Sequence, residues 1–157
     1  MKLSCTSVML PRWDLDQTFD KLAEHGYDGV ELRCRYIKDD APEEPSFWGR
    51  HLADISPDNI VDRAGEIQAA SKRSGVKVVA LAPQALVNEL DLIDKLFAGA
   101  LAINPDEPPM IRIGAPRHDR TKPYHAQFDE ARAGFAALTD KARDCGVKAL
   151  YEILLGR

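Results

Sequence analysis

The sequence predicts an α/β fold: a parallel (β/α) barrel, incomplete, with about five strands and four helices in a single domain spanning residues 1–157. Three observations carry this. A helix-like segment, a glycine and a β-rich run recur, as His25-Gly26-Tyr27-Asp28-Gly29-Val30-Glu31-Leu32, Ser74-Gly75-Val76-Lys77-Val78-Val79-Ala80-Leu81 and Cys145-Gly146-Val147-Lys148-Ala149-Leu150-Tyr151-Glu152. Glycine just past a helix is where positive φ costs least, so each helix turns at once into its strand. The connections are also unequal. Helix-to-strand turns are a glycine or little more, apart from 105–109, while strand-to-helix loops run over about 34–56 and 115–124. Finally, the sequence stops five residues after Glu152, where an open, doubly wound sheet of five strands needs a fifth covering helix.

In order along the chain, residues 3–8 read as the first strand. A helix follows from Asp14, an N-cap with Gln17 three residues on, with Leu15, Phe19, Leu22 and Ala23 on one face. Gly29–Arg33 is the second strand, and the acidic run 39–44 in the loop after it reads as solvated. Ser56-Pro57, an N-cap with proline at the first helical position, opens a second helix bearing Ile60, Ala64 and Ile67. Residues 76–81 form the third strand, and a helix over about 88–102 presents Leu90, Ile93, Phe97 and Leu101. Met110–Gly114 is the fourth strand. A helix over about 125–145, with Phe128, Phe135, Leu138 and Ala142, leads to the last strand at 147–152.

Bulk properties exclude several classes. The net charge of −4 leaves no basic excess for phosphates, so nucleic acid is not an expected partner. No apolar run approaches the ~20 residues of a membrane span, and MKLSCTSVML is too short and interrupted for a signal peptide. The expectation is a soluble, cytoplasmic protein without a membrane partner. Cys5, Cys34 and Cys145 are odd in number and far apart, with no CxxC pair, and read as small buried thiols in a reducing compartment.

The rival architecture is a flavodoxin-like open sheet. After the first strand, Met9-Leu10-Pro11-Arg12-Trp13 holds no glycine-rich turn, GxGxxG or Walker A pattern, so the barrel of the TIM type is preferred. Parallel α/β folds carry their sites at the carboxyl ends of the strands, which assigns function to one rim. On it, Glu31 and Arg33 end the second strand and read either as substrate contacts or as a salt bridge under the helices. Arg112 points into the barrel if the alternation holds, where it needs a partner. His118, in Pro116-Arg117-His118-Asp119-Arg120, is the best-placed histidine for substrate; its plainer reading is an exposed loop residue. His25 reads as a helix C-terminal residue, and His51 and His125 as surface positions near helix starts.

Tyr27-Asp28-Gly29-Val30-Glu31-Leu32-Arg33, after a short amphipathic helix, resembles the second strand of the xylose-isomerase-like barrels, the sugar phosphate isomerase/epimerase superfamily. Residues 75–81 resemble the third strand, Met110-Ile111-Arg112-Ile113-Gly114 the fourth, and Val147-Lys148-Ala149-Leu150-Tyr151-Glu152 the fifth, which in that family ends in a metal-binding glutamate. The resemblance covers nearly the whole chain in short pieces. It implies a sugar or sugar-phosphate isomerase or epimerase acting on a small sugar-like substrate, with a divalent metal ion (Mn, Mg, Co or Zn) and carboxylates moving a proton through an enediol-like state. It implies Glu152 as metal ligand and catalytic group, with further Asp, His and Glu ligands from later strands. Three or more protein ligands are expected for such an ion, so the site in this chain is incomplete and the chain alone need not hold the metal. The family often has a histidine shortly after the glutamate, whereas Ile153-Leu154-Leu155 follows here. Trp13 and Trp48 read either as an apolar wall for a sugar face or as packing on the helical layer.

Two other readings stand beside it. A shortened, non-catalytic barrel would serve as a binding or assembly module, self-associating through the open edges of the first and fifth strands. An endonuclease-IV-like nuclease needs histidines after the third and fourth strands, and Pro83-Gln84 stands at the first of these places.

Overall fold

A computed structural model of the protein describes residues 1–152; the residues after Glu152, including Ile153-Leu154-Leu155, lie outside the described residues. Five strands, β1 (Ser4–Thr6), β2 (Gly29–Arg33), β3 (Lys77–Leu86), β4 (Met110–Gly114) and β5 (Ala149–Leu150), form one parallel sheet in the order β1-β2-β3-β4-β5. The helices α1 (Leu15–Glu24), α2 (Ala64–Ser74), α3 (Leu90–Ile103) and α4 (Tyr124–Cys145) make the crossovers. A doubly wound sheet reverses its strand order partway. Here the order never reverses, which is the winding of a barrel and keeps every helix on one face. The sheet is not closed among the described residues.

Local chemistry explains the elements. α1 opens on a capping box: the Gln17 N–H donates to Asp14 Oδ1 at 2.8 Å, and the Asp14 N–H donates to Gln17 Oε1 at 3.1 Å. Gly26, Gly75 and Gly146 all adopt positive φ (75°, 77° and 71°) at the ends of α1, α2 and α4, as the repeated phrase requires.

Four expectations are corrected. α2 begins at Ala64 rather than Ser56, because residues 57–63 form successive turns in which the Ser56 N–H donates to Asn59 Oδ1. Ile60 is nonetheless buried, pressed against Gly99 of α3, where a Cβ would meet Ile60 Cγ2 at 2.5 Å. β1 is shorter than expected, since Thr6 caps a 3₁₀ turn over Ser7–Met9. β3 is longer: its ladder with β4 slips between Leu81 and Ala85, setting Pro83 in the irregularity where no N–H is needed, then resumes through Leu86. β5 pairs over two residues only.

The core lies between sheet and helices. Val30, Leu32, Leu81, Ile111 and Ile113 face Phe19, Leu22, Ile67, Ile93, Leu96 and Phe97 in one cluster. α4 departs from the expected stripe, for Leu138 and Ala142 are buried while Phe128 is exposed. Cys34 is buried and burial pushes its thiol up to about 12. Cys145 is exposed, against expectation. Among the described residues no helix is long and apolar enough to cross a membrane.

Candidate functional site

Alternation places one set of strand residues opposite the helices. In β2, Val30 and Leu32 enter the core, so Glu31 and Arg33 point to the other, inner face. The register sets Glu31 beside Ala80 and Arg33 beside Ala82 of β3, and sets Met110 beside Ala80. In β4, Ile111 and Ile113 are core, which turns Arg112 inward. The two alanines leave the inner face of β3 low, so Arg112 spans the strand that separates it from Glu31.

The result is a charged line across the strand ends. Arg112 Nη2 lies 3.5 Å from Glu31 Oε1, and Arg112 Nη1 donates to Glu152 Oε2 just past β5. The partner that Arg112 requires is therefore two carboxylates, and the ion pair of Glu31 lies on the inner face, not under the helices. Arg33 reaches the long loop after β2, where its Nη2 donates to Gly49 O at 2.7 Å, while its backbone N–H donates to Ser7 Oγ at 2.8 Å. Arg35, on the loop just past β2, donates from Nε to Ala82 O at 3.2 Å. Arg33 and Arg35 are 6 % and 7 % exposed. Burial lowers the pKa of both; for Arg35, repulsion by Arg33 and Arg112 adds to this and attraction by Glu31 and Glu152 opposes it.

Of the residues expected at the site, Glu31 and Arg33 on β2 and Glu152 just past β5 sit at this end of the sheet, with β3 and β4 between them. His118 does not join their hydrogen-bond network: it is exposed on the loop after β4, its ring 5.7 Å from that of Tyr124. Trp48 is 70 % exposed with its ring 4.5 Å edge-on to Phe47, so it does not pack on the helical layer. His51, expected on the surface, is 5 % exposed, with Nε2 3.4 Å from Phe47 O. The long loop folds inward there, and no periodicity marks such a return. Arg35 and His51 were thus missed. The one available signal was Arg33-x-Arg35, which repeats the inward spacing.

Burial, then the charges of Arg33 and Arg35, hold the His51 pKa below its ordinary value. The unfolded chain then binds the proton more readily, so stability is full above about pH 6.5 and falls as pH drops toward the lowered folded value. Urea unfolding at pH 7.5 and 5.5 is expected to show this loss, and His51→Gln to reduce it; equal losses in both proteins would assign the effect elsewhere.

The described residues do not by themselves fit a divalent ion. Among them no three His, Cys, Asp or Glu side chains gather as a ligand set, and the guanidinium of Arg112 stands between Glu31 and Glu152. A crevice of about 640 Å³ lies at the opposite end of the sheet, lined by Lys77, Met110, Gly146 and Lys148. These are the amino ends of the strands, away from the charged line.

No protein-family model matches the chain, and no curated protein matches it. Solved structures do. The 3-keto-D-glucoside 4-epimerase YcjR from E. coli superposes with a TM-score of 0.66 at 14% identity, over 98% of this chain and 56% of its own. A xylose isomerase domain containing protein from Salmonella typhimurium gives 0.65 at 14%, over 99% and 50%. An arginine decarboxylase from Paramecium bursaria Chlorella virus gives 0.50 at 16%, over 90% and 38%. The chain spans about half the length of the first two, and at these identities the likeness concerns the fold. The chain has the fold of the xylose-isomerase-like TIM barrels, as an α/β sheet that is not closed among the described residues.

Proposed function

We propose that the chain contributes the Glu31–Arg112–Glu152 end of a sugar or sugar-phosphate isomerase- or epimerase-like site. The supporting observation is that two carboxylates and a guanidinium share the inner face at the carboxyl ends of the strands in this fold. In the proposed chemistry, Glu152 takes a proton from the carbon beside a sugar carbonyl and Glu31 serves as the opposing acid or base. Arg112 orients both and offers its N–H edge to the oxygen that gains charge. Arg33 and His118 belong to the proposal as substrate contacts, the latter only through movement of its loop. A divalent ion at Glu152 further requires Arg112 to withdraw and ligands from outside residues 1–152. The test is solvent deuterium incorporation into a keto sugar, followed by NMR. A 3-keto-D-glucoside, named for the E. coli neighbour, is the first substrate to try. A ketose phosphate is tried beside it; exchange above the buffer rate is expected with at least one, and none with either, with or without Mn²⁺, would sink the reading.

Assembly is the second reading, favoured by the exposed Tyr124 and Phe128 on α4 and by Leu150 and Tyr151 at β5. Rotation about the barrel axis keeps strands parallel, so β5 of one copy can pair with β1 of another. Light scattering is expected to report a dimer or larger; a monomer across the micromolar range would count against it.

A further inference from the structure

Among the described residues, Arg33 and Arg35 are the two buried arginines. Each is more than nine-tenths buried, and neither has a carboxylate within ion-pair distance among the described residues. Their recorded side-chain partners are neutral carbonyls, Gly49 O and Ala82 O. Arg33 Nε is buried with no hydrogen-bond partner among the described residues. The terminal nitrogens of Arg35 also make no hydrogen bond among the described residues and, unlike Arg33 Nε, are not sealed from the surface. The two glutamates in range are both committed to Arg112. In direct contact at this end of the sheet, three guanidiniums share two carboxylates; the exposed Asp54 attracts Arg33 only from beyond ion-pair distance, and the held-down His51 adds no charge near neutrality.

Burying an uncompensated charge costs several kcal/mol, and folded proteins rarely retain one without a use. A planar fork with free N–H edges matches one chemistry above others, the oxygens of a carboxylate or a phosphate. A second orphan lies beside it. Glu31 Oε1 is buried without a hydrogen bond, although it is 3.5 Å from Arg112 Nη2. Glu31 is two residues before Arg33 on the same strand face, so roughly 6–7 Å separates their backbone positions, the span of a short hydroxylated carbon chain.

We propose that Arg33 and Arg35 form a binding site for an oxyanion, the carboxylate or phosphate of a small polyhydroxylated ligand whose hydroxyl reaches Glu31. The site deepens the proposed function and rests on it for the sugar part alone: it makes the substrate an acidic or phosphorylated sugar rather than a neutral one. Ligand binding also supplies what the exposed Asp54 does not, a counter-charge in direct contact with the buried arginines.

Thermal melting of the whole chain tests this with inorganic phosphate, D-gluconate and D-glucose, at ionic strength matched with sodium chloride. Phosphate, gluconate or both are expected to raise Tm by about 3 °C or more near saturation, with D-glucose giving no shift. Response to gluconate alone assigns a carboxylate and response to phosphate alone a phosphate. Response to both assigns the shared oxyanion chemistry. Arg33→Gln and Arg35→Gln are expected to abolish the shift. Without ligand, Arg35→Gln is expected to melt at or above the parent temperature, since it removes a buried charge while the Cys34 N–H still donates to Ala82 O. A purely structural arginine would instead lower it. If Arg35→Gln fails to fold, Arg33→Gln and Arg35→Lys carry the test, the lysine keeping part of the response. The proposal is overturned if no anion shifts the parent protein, if D-glucose shifts it equally, or if the glutamine variants keep the full response. These readouts need no turnover. Anion binding without deuterium exchange would overturn the proposed chemistry alone, and exchange of neutral keto sugars without anion binding would overturn this site alone.

Discussion

Phe19→Ala is expected to lower stability by about 3–5 kcal/mol, read as a fall in the urea midpoint at nearly constant m. Phe19 is fully buried on α1 and shares its cluster with Val30 and Leu32, the two core-facing residues of β2. Truncation removes the ring from the apolar layer and leaves a void that α1 cannot collapse, because the capping box fixes one end and Gly26 the other. Against a typical total of about 5–15 kcal/mol, the loss is a large fraction, about a fifth or more. The same strand carries Glu31 and Arg33 on its opposite face, so the response to anions should disappear with the fold. Phe19→Leu, which keeps most of the volume, should cost much less. A fall in Phe19→Ala of under about 1 kcal/mol would mean that α1 does not pack on β2 as described.

Glu152→Gln is expected to cut deuterium exchange into a keto sugar by about 10²–10⁴-fold, the usual worth of a positioned acid or base. Stability should hardly move. The Glu152 side chain is 46% exposed, so its pair with Arg112 is screened by water and contributes about 0–1 kcal/mol. This separation of readouts gives the experiment its force. Loss of exchange with an unchanged urea midpoint assigns Glu152 to the chemistry, whereas full exchange in the variant reduces it to a partner of Arg112. Glu31→Gln should act in the same direction if the two carboxylates work as a pair. An effect confined to Glu152 would remove Glu31 from the proton transfer.

Much of this architecture was legible along the chain because it depends on local rules. The glycines after α1, α2 and α4 needed positive φ, and alternation along Gly29–Arg33 and Met110–Gly114 matched the strands to the residue. Legibility failed where distant contacts override local preference. Ser56-Pro57 carries the chemistry of a helix start, but Ile60 is drawn into the Gly99 notch and the chain spends residues 57–63 in turns. Pro83 reads as the end of a strand, yet pairing resumes past it. His51 belongs to no periodic segment, so nothing in its neighbourhood announces burial.

The sequence by itself determined the run of five strands and four helices, the rim assigned to the proposed site, and Glu31, Arg33, His118 and Glu152 as its candidates, of which His118 stands apart on its loop. Those follow from backbone preferences and side-chain alternation, which act over a few residues. Only the tertiary structure decided who meets whom. Arg112 reaches Glu31 because Ala80 and Ala82 of β3 leave the way clear, and Arg35 has no ion pair among the described residues because both nearby glutamates are taken by Arg112. Charge balance at a buried site is a sum over residues up to about a hundred positions apart, and no local pattern carries that sum.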